Sequence, residues 1–344
     1  MSGASIQPGP TVALAGLGRV GAHAPAVSLP DGRPVFRNHL DAVQVAGGRV
    51  VSLVDPSAER RKEARSRLPE CAIISEVATI AELKPGGADI VTLATPPYER
   101  LDALRSALAL RPKAILLEKP LSDGVASGAE LVRAAAAASV PVFVAYNRRT
   151  DPGMRAFVDG LAVEDVRRAV FYYGSGLTNY ASHAVDSLLA WFGPVRSVQA
   201  MPDGHSGSDR GCISFNCITE SGLTVHLIGL PDVNYDVFEA DIFLADARVG
   251  YRNNGAEKFR YEARGDLYYP GYPGLVEVPQ GMARPVGGFV EMYRALFAAI
   301  ESGAPAPLLC TVAQAFDVQR VIDAVVRSAK GGGCIVALGP ASSH

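Results

Sequence analysis

From Thr11 to Arg148 short apolar runs alternate with longer stretches in which charged or alanine-rich positions recur at helical spacing. Apolar runs of strand length, punctuated by Gly, Pro and Asp and separated by helices, are the pattern of a parallel sheet buried on both faces. The pattern predicts strands over 11–15, 49–54, 73–74, 90–94, 114–117 and 142–146. Between them, 57–68 is rich in Arg and Glu and reads as an exposed helix, while 98–109 and 124–138 are helical by their alanine and leucine content, with Asp123 a candidate N-cap. Six strands with crossover helices make a doubly wound domain over residues 1–148.

The pattern changes after Asp151-Pro152. Segments 164–174, 195–201, 211–220, 223–230 and 238–245 are strand-like and follow one another closely, joined by turn pairs such as Ser221-Gly222. Strands in succession without intervening helices favour an antiparallel or mixed sheet, so residues 149–344 are expected to form an α+β domain. Two helices, over 288–302 and 312–330, close the chain. The fold class expected is therefore α/β: an N-terminal Rossmann-like doubly wound parallel sheet followed by an α+β domain whose sheet is mostly antiparallel.

Composition limits the partners. A chain of 344 residues is longer than one core usually supports, which agrees with two domains. With 20% charged residues and a formal charge of -2, it carries no strong field toward nucleic acid or an anionic membrane, and neither is expected as a partner. Met1 to Pro10 has no basic segment followed by an apolar one, and no apolar run is long enough to span a bilayer, so a cytoplasmic location is expected. The cysteines, Cys71, Cys212, Cys217, Cys310 and Cys334, form neither a CxxC pair nor a Cys/His set with zinc spacing. They read as small apolar residues, and no metal site is expected.

Two motifs carry chemistry. Gly16-Leu17-Gly18-Arg19-Val20-Gly21 follows the first strand and opens a segment able to begin a helix, the context a dinucleotide fingerprint needs. Gly16 permits the tight turn, Gly18 lets backbone approach a pyrophosphate, and Gly21 lets the next helix pack on the strand; Arg19 and Val20 complete the candidate contact. The second strand ends at Asp55, from which a carboxylate can accept hydrogen bonds from the hydroxyls of an adenosine ribose. It would repel a 2'-phosphate, so NAD is expected, with Arg60 and Arg61 keeping NADP open. The interval from Gly21 to Asp55 exceeds the usual ~20 residues, and an insertion around Pro30–Pro34 can absorb the surplus; alternatively Asp55 only begins a turn with Pro56. The fourth strand runs into Ala94-Thr95-Pro96-Pro97, which lies at the carboxyl edge of the sheet where such folds bind ligands, or else merely ends the strand.

The second motif, Leu117-Glu118-Lys119-Pro120-Leu121, follows the buried strand 114–117 and puts a lysine where the reactive end of a dinucleotide would lie. Together with Asp55, Ala94-Thr95-Pro96-Pro97 and Ser182-His183-Ala184-Val185-Asp186 followed by Leu188 to Gly193, these motifs in this order resemble the Gfo/Idh/MocA family of NAD(P)-dependent oxidoreductases. The resemblance spans nearly the whole chain and is strongest from Val12 to Gly193. It implies a Rossmann domain joined to a domain whose open sheet face builds the substrate pocket and commonly an oligomer interface, here a homodimer or homotetramer. It also implies oxidation or reduction of one carbinol carbon of a sugar, cyclitol or sugar nucleotide.

Taking hydride from a secondary alcohol requires a base for the hydroxyl proton and a donor or cation beside the oxygen. By resemblance, Lys119 orients the nicotinamide end and polarises the oxygen, while His183 exchanges the proton. A buried lysine whose pKa falls toward working pH would itself serve as the base. Most relatives carry aspartate four residues before that histidine, and this chain has Asn179. Asn179 can still reach substrate, but a charge that would raise the basicity of His183 is missing. The stretch from Tyr173 to His183 is similar to a branch with asparagine at that position, associated with bacterial surface and secondary-metabolite sugars. Asp186 orients His183, binds substrate or caps its helix. Asn147 and Arg148, after the last Rossmann strand, are candidate ligand contacts, with an interdomain ion pair as the alternative for the arginines. Tyr268, Tyr269 and Tyr272 shape a carbohydrate loop or pack at a subunit interface. Two other functions keep the same fold: transient use of NAD for elimination or epimerisation, and a non-catalytic nucleotide-binding sensor.

Overall fold

The apolar runs of the first half become strands buried on both faces. In the computed structural model, which describes residues 9–28, 32, 34–201, 211–279 and 288–340, β1 (Thr11–Ala15) occupies the middle of a parallel sheet. It pairs with β2 (Arg49–Val54) on one side and β4 (Ile90–Leu93) on the other. Outward from β2 lies β3 (Ser75–Val77); outward from β4 lie β5 (Ala114–Leu117) and β6 (Val142–Val144). A short antiparallel strand, Cys310–Thr311, closes the β6 edge. The order 3-2-1-4-5-6 is that of a doubly wound dinucleotide fold, and its reversal falls between β1 and β4.

Register places the chemistry. Leu14 lies opposite Leu53 and Thr92, and Leu93 opposite Leu117, so the residues that follow β1, β2, β4 and β5 all emerge at one edge of the sheet. Val12, Leu14, Leu53, Ile90 and Leu116 are sealed from solvent and anchor the core from which those four chain ends project.

The third strand lies at Ser75–Val77 rather than 73–74: it is an edge strand, mostly exposed and polar, where an apolar run is no guide. Helix α2 (Ala58–Ser66) starts at Ser57, whose hydroxyl accepts from the Arg60 amide. Helix α3 (Arg100–Ala109) follows the Pro-Pro turn, and α4 (Val125–Ala136) is capped by Gly124. Asp123 is therefore not the N-cap; its carboxylate accepts from the Ser127 hydroxyl instead. Helix α1 (His39–Val45) was not legible: seven residues are too few to show a period. It is fixed by Asn38, whose side chain accepts from the Asp41 amide at 2.9 Å and donates to the Ala24 carbonyl at 2.7 Å. Between the glycine run and α1 lies a small hairpin of Val27–Ser28 with Pro34–Val35. The insertion anticipated at 30–34 falls largely outside the described residues, as does the side chain of Tyr268.

Two compact units result. The described residues of Met1–Asp151 and Gly287–Phe316 form one, and those of Pro152–Val286 and Asp317–His344 the other. The helix Gly288–Ser302 thus returns to the first unit, where Val290, Met292, Tyr293, Leu296 and Phe297 join its core.

The second unit is built on a mixed sheet. Its central strand β7 (Val166–Tyr173) runs parallel to Thr224–Gly229 and antiparallel to Phe238–Leu244, and the remaining pairs are antiparallel. Alternation is clean: Ala169, Phe171 and Tyr173 are buried while Arg168, Val170 and Tyr172 are partly or fully open. The buried face is covered by the helices Pro152–Asp159 and Ser182–Phe192, with Trp191 against Phe171 and Phe157 at ring separations of 5.8 and 6.1 Å. Three further strands, Ala247–Arg252, Glu257–Tyr269 and Tyr272–Val278, extend the sheet where sequence gave no strand, because charged and glycine residues interrupt their apolar positions. Among the described residues no helix is long and apolar enough to cross a membrane.

Candidate functional site

The turn after β1 is where the fold first departs from regular geometry. Gly16 has φ +86°, a left-handed conformation, and a Cβ there would lie 2.5 Å from the Ala94 carbonyl oxygen and 2.9 Å from the Thr95 amide. Gly21 is equally confined, since a Cβ would overlap the Gly16 carbonyl. Gly18 differs: nothing lies within 4 Å of where its Cβ would be, which leaves open space above the backbone. The fingerprint does not run into a regular helix. Arg19–His23 forms one wide turn in which His23 N and Ala24 N reach back five residues to Gly18 O and Arg19 O, at 3.2 and 2.6 Å. An anion here would meet the amides of a single turn rather than the dipole of a full helix.

Asp55, at the end of β2, is 4% exposed and braces that turn. One carboxylate oxygen accepts from the Leu17 amide and the other from the Ser57 amide, each at 2.9 Å. Each oxygen keeps a lone pair for a further donor. Arg60 Nη1 stands 3.8 Å from the carboxylate, and Arg61 Nη1 bonds the Asp55 main-chain carbonyl at 2.5 Å. The arginine pair is thus turned toward Asp55, which favours a ribose hydroxyl over a phosphate beside it.

Across the cleft, Ala94, Thr95 and Pro96 follow β4, and the buried Thr95 hydroxyl has no hydrogen-bond partner within the described residues. Arg100, sealed in the protein at 1% exposure, ties this loop to the next: its guanidinium donates to Thr95 O at 2.6 Å, to Leu121 O at 3.3 Å and to Pro120 O. Burial lowers its pKa to about 10, with the nearby Glu118 charge acting in the opposite direction. Sequence reasoning passed over Arg100, although a charged residue opening a helix after a Pro-Pro turn is the available signal.

Glu118 and Lys119 follow β5. Glu118 is buried, and its Oε2 accepts from the Lys119 amide at 2.9 Å. Lys119 is half-buried, and desolvation pulls its pKa below the ordinary lysine value; Glu118 opposes that shift and Arg148 adds to it.

A cleft of about 1240 Å³ collects these residues: Gly16, Gly18, Arg19, Val20, Gly21, Asp55, Ala94, Thr95, Pro96, Glu118 and Lys119 all line it. It also takes in His23, Ser57, Arg60, Thr79, Tyr98 and Arg100, which sequence had not assigned to a site, apart from Arg60 as an argument for NADP. The cleft offers open space over Gly18, a nearly buried carboxylate at Asp55 and an unsatisfied hydroxyl at Thr95. Asn147 and Arg148 are not among the lining residues. They lie in a short turn after β6, where the Asn147 carbonyl accepts from the Thr150 hydroxyl at 2.8 Å.

The remaining candidates belong to the second unit. His183 is 8% exposed in the first turn of the helix Ser182–Phe192, its ring edge-on to Phe238 at 6.5 Å. Asp186, one turn on, is 1% exposed. Asn179 lies in the preceding wide turn Leu177–Ala181 and is exposed, its carbonyl accepting from Ser182 Oγ at 2.8 Å. Asn179 thus precedes the regular helix that carries His183. Among the described residues no group of three or more His, Cys, Asp or Glu side chains is arranged to hold a metal ion.

A test of the ribose assignment follows. Asp55→Asn keeps an acceptor for one amide but removes the charge, and is expected to weaken NADH binding about tenfold while improving NADPH binding, read by fluorescence titration of each nucleotide. An unchanged NADH/NADPH ratio would remove Asp55 from the ribose site.

Comparison with known proteins agrees with this geometry. Residues 11–146 match the family described as "Oxidoreductase family, NAD-binding Rossmann fold", GFO_IDH_MocA. An inositol 2-dehydrogenase from Streptomyces avermitilis is 37% identical over 97 residues, 28% of this chain and 27% of that protein, so the match spans about a quarter of the relative's length. In fold, the chain is similar to levoglucosan dehydrogenase solved with NADH and L-sorbose (TM-score 0.74, 15% identity, covering 97% of this chain and 100% of the other). It is likewise similar to UDP-N-acetylglucosamine 3-dehydrogenase from Acidithiobacillus ferrooxidans (TM-score 0.73, 15% identity, 93% and 96%) and to an oxidoreductase from Agrobacterium radiobacter in complex with NAD+, L-tartaric acid and magnesium (TM-score 0.71, 14% identity, 95% and 98%).

Proposed function

We propose that this protein, whose residues 11–146 match the Gfo/Idh/MocA oxidoreductase family with its NAD-binding Rossmann fold, moves a hydride between NAD and one carbinol or carbonyl carbon of a sugar, cyclitol or sugar nucleotide. The observation that carries the reading is the shared cleft: the chain ends after β1, β2, β4 and β5 converge on one wall, with a half-buried lysine at the β5 position.

In this reading Gly16 to Gly21 and Thr95 hold the phosphate and ribose portions, and Asp55 receives the adenosine ribose. NAD supplies the hydride acceptor. Lys119 orients the nicotinamide end and stabilises charge on the reacting oxygen, a role suited to a cation kept partly from water. Its lowered pKa also lets it release or accept a proton nearer neutral pH than an exposed lysine would. His183 exchanges the hydroxyl proton, with Asn179, Asp186 and Arg148 as substrate contacts. The sugar class is supported by what the similar proteins are named for: inositol, levoglucosan and UDP-N-acetylglucosamine.

The test is a panel of sugars, cyclitols and nucleotide sugars screened for substrate-dependent NADH absorbance, with NAD and NADP in parallel. NADH accumulation with a polyol and NAD is the expected result. Binding of NAD without turnover of any panel member, with Lys119→Ala and wild type alike, would leave a nucleotide-binding protein and defeat the enzyme reading.

A further inference from the structure

Behind Glu118 lies a closed polar chain that the mechanism above does not use. His39, the first residue of α1, is 0% exposed, yet both ring nitrogens are bonded: Nε2 to Glu118 Oε1 at 3.0 Å and Nδ1 to the Tyr293 hydroxyl at 2.9 Å. The Tyr293 hydroxyl in turn meets the Thr92 hydroxyl at 2.9 Å, and both of those residues are sealed from solvent. Phe289 and Tyr293 wall the imidazole edge-on at ring separations of 5.2 and 5.8 Å. One proton arrangement satisfies the chain with a neutral histidine: Nε2–H donates to the carboxylate, Nδ1 accepts from the tyrosine hydroxyl, and that oxygen accepts from Thr92. Burial pushes the Tyr293 pKa up, so the phenol stays a donor.

We propose that His39 is a positioning residue for Lys119: by holding Oε1 of Glu118 while Oε2 is held by the Lys119 amide, it fixes the carboxylate whose charge acts on the Lys119 side chain. This rests on the reading of Lys119 as the group at the reacting carbon. The carboxylate is clamped from two elements far apart in sequence, α1 through His39 and β5 through the chain itself, and the clamp is braced by the helix Gly288–Ser302 through Tyr293. Arg148 opposes the Lys119 charge, and Arg100 is coupled to Glu118 and to Tyr146. Glu118 works to keep Lys119 protonated against burial and Arg148.

The experiment reads Lys119 directly, without cofactor or substrate. The chain has six lysines, Lys62, Lys84, Lys113, Lys119, Lys258 and Lys330, so carbon-13-labelled lysine gives a spectrum in which the Lys119 signal is assigned by its loss in Lys119→Arg. In His39→Leu the carboxylate loses its donor and is free to turn away from Lys119; the Lys119 titration midpoint is expected to fall by about one pH unit or more. His39→Gln, whose amide can donate in place of Nε2, should restore the midpoint to within roughly 0.3 units of wild type. Tyr293→Phe, which keeps the ring and cuts only the Nδ1 bond, should move it the same way by less, and it decides the matter if His39→Leu does not fold. Equal Lys119 midpoints in wild type and every folded variant overturn the proposal. Because turnover is not measured, that outcome is separate from the role of Lys119 in catalysis, which Lys119→Ala tests.

Discussion

Replacing Lys119 by alanine is expected to lower kcat at least about a thousandfold, the scale lost when a group stabilising charge at a reacting oxygen is removed together with a proton-transfer partner. NADH affinity should stay within a few-fold of wild type, because the phosphate and ribose contacts assigned to Gly16–Gly21, Asp55 and Thr95 lie elsewhere in the cleft. A substrate-driven NADH assay and a fluorescence titration on the same preparation separate the two effects. The pH profile adds a second check. Burial holds Lys119 below the ordinary lysine range, so a limb that belongs to Lys119 must appear below the pH at which an exposed lysine titrates. If the neutral amine is the working base, activity rises through that limb; if the ammonium is the electrostatic partner, activity falls through it. Wild-type turnover in the alanine variant would end the catalytic assignment.

Gly16→Ala is expected to destabilise the first unit severely. The backbone at φ +86° is strained for any residue with a Cβ, and the added carbon would lie 2.5 Å from the Ala94 carbonyl oxygen and 2.6 Å from its carbon. Both are backbone atoms of the loop after β4, which is pinned through Thr95 O by the buried Arg100 and has little freedom to retreat. Left-handed strain and overpacking together predict a loss of about 2–5 kcal/mol, visible as a lower thermal midpoint and as weakened NADH binding. Gly18→Ala is the control: with open space where its Cβ would go, it should leave the fold stable and affect nucleotide binding alone. A Gly16→Ala protein that melts like wild type would contradict the packing described for the turn.

What could be read from the sequence follows from where each residue is buried. β1, β4 and β5 are largely apolar because both of their faces are covered, and a covered strand advertises itself by composition. The residues that emerge from their carboxyl ends, Gly16, Ala94 and Glu118, are therefore legible from sequence as lying at one edge. The edge strand Ser75–Val77 and the charged hairpin of Glu257–Tyr269 with Tyr272–Val278 carry no such mark. Their hydrogen bonds come from neighbours that sequence does not name. Helix Gly288–Ser302 lay where its pattern indicated, but a pattern of apolar positions identifies the buried face and not the surface that buries it. Its return to the first unit, and with it the contact of Tyr293 with His39, follows only from the tertiary fold. His39 itself is separated from the glycine run by the hairpin of Val27–Ser28 with Pro34–Val35, so nothing nearby in sequence ties it to Glu118.

The most direct test of the central claim, that Lys119 is the side chain at the reacting end of a nucleotide bound along this sheet edge, is a crystal structure of the protein with NADH. The account predicts the pyrophosphate over Gly18 and Arg19, the adenosine ribose on Asp55, and the nicotinamide ring beside Lys119. A nucleotide whose nicotinamide lies away from Lys119, or one bound outside the cleft lined by Gly16, Asp55 and Thr95, would contradict it.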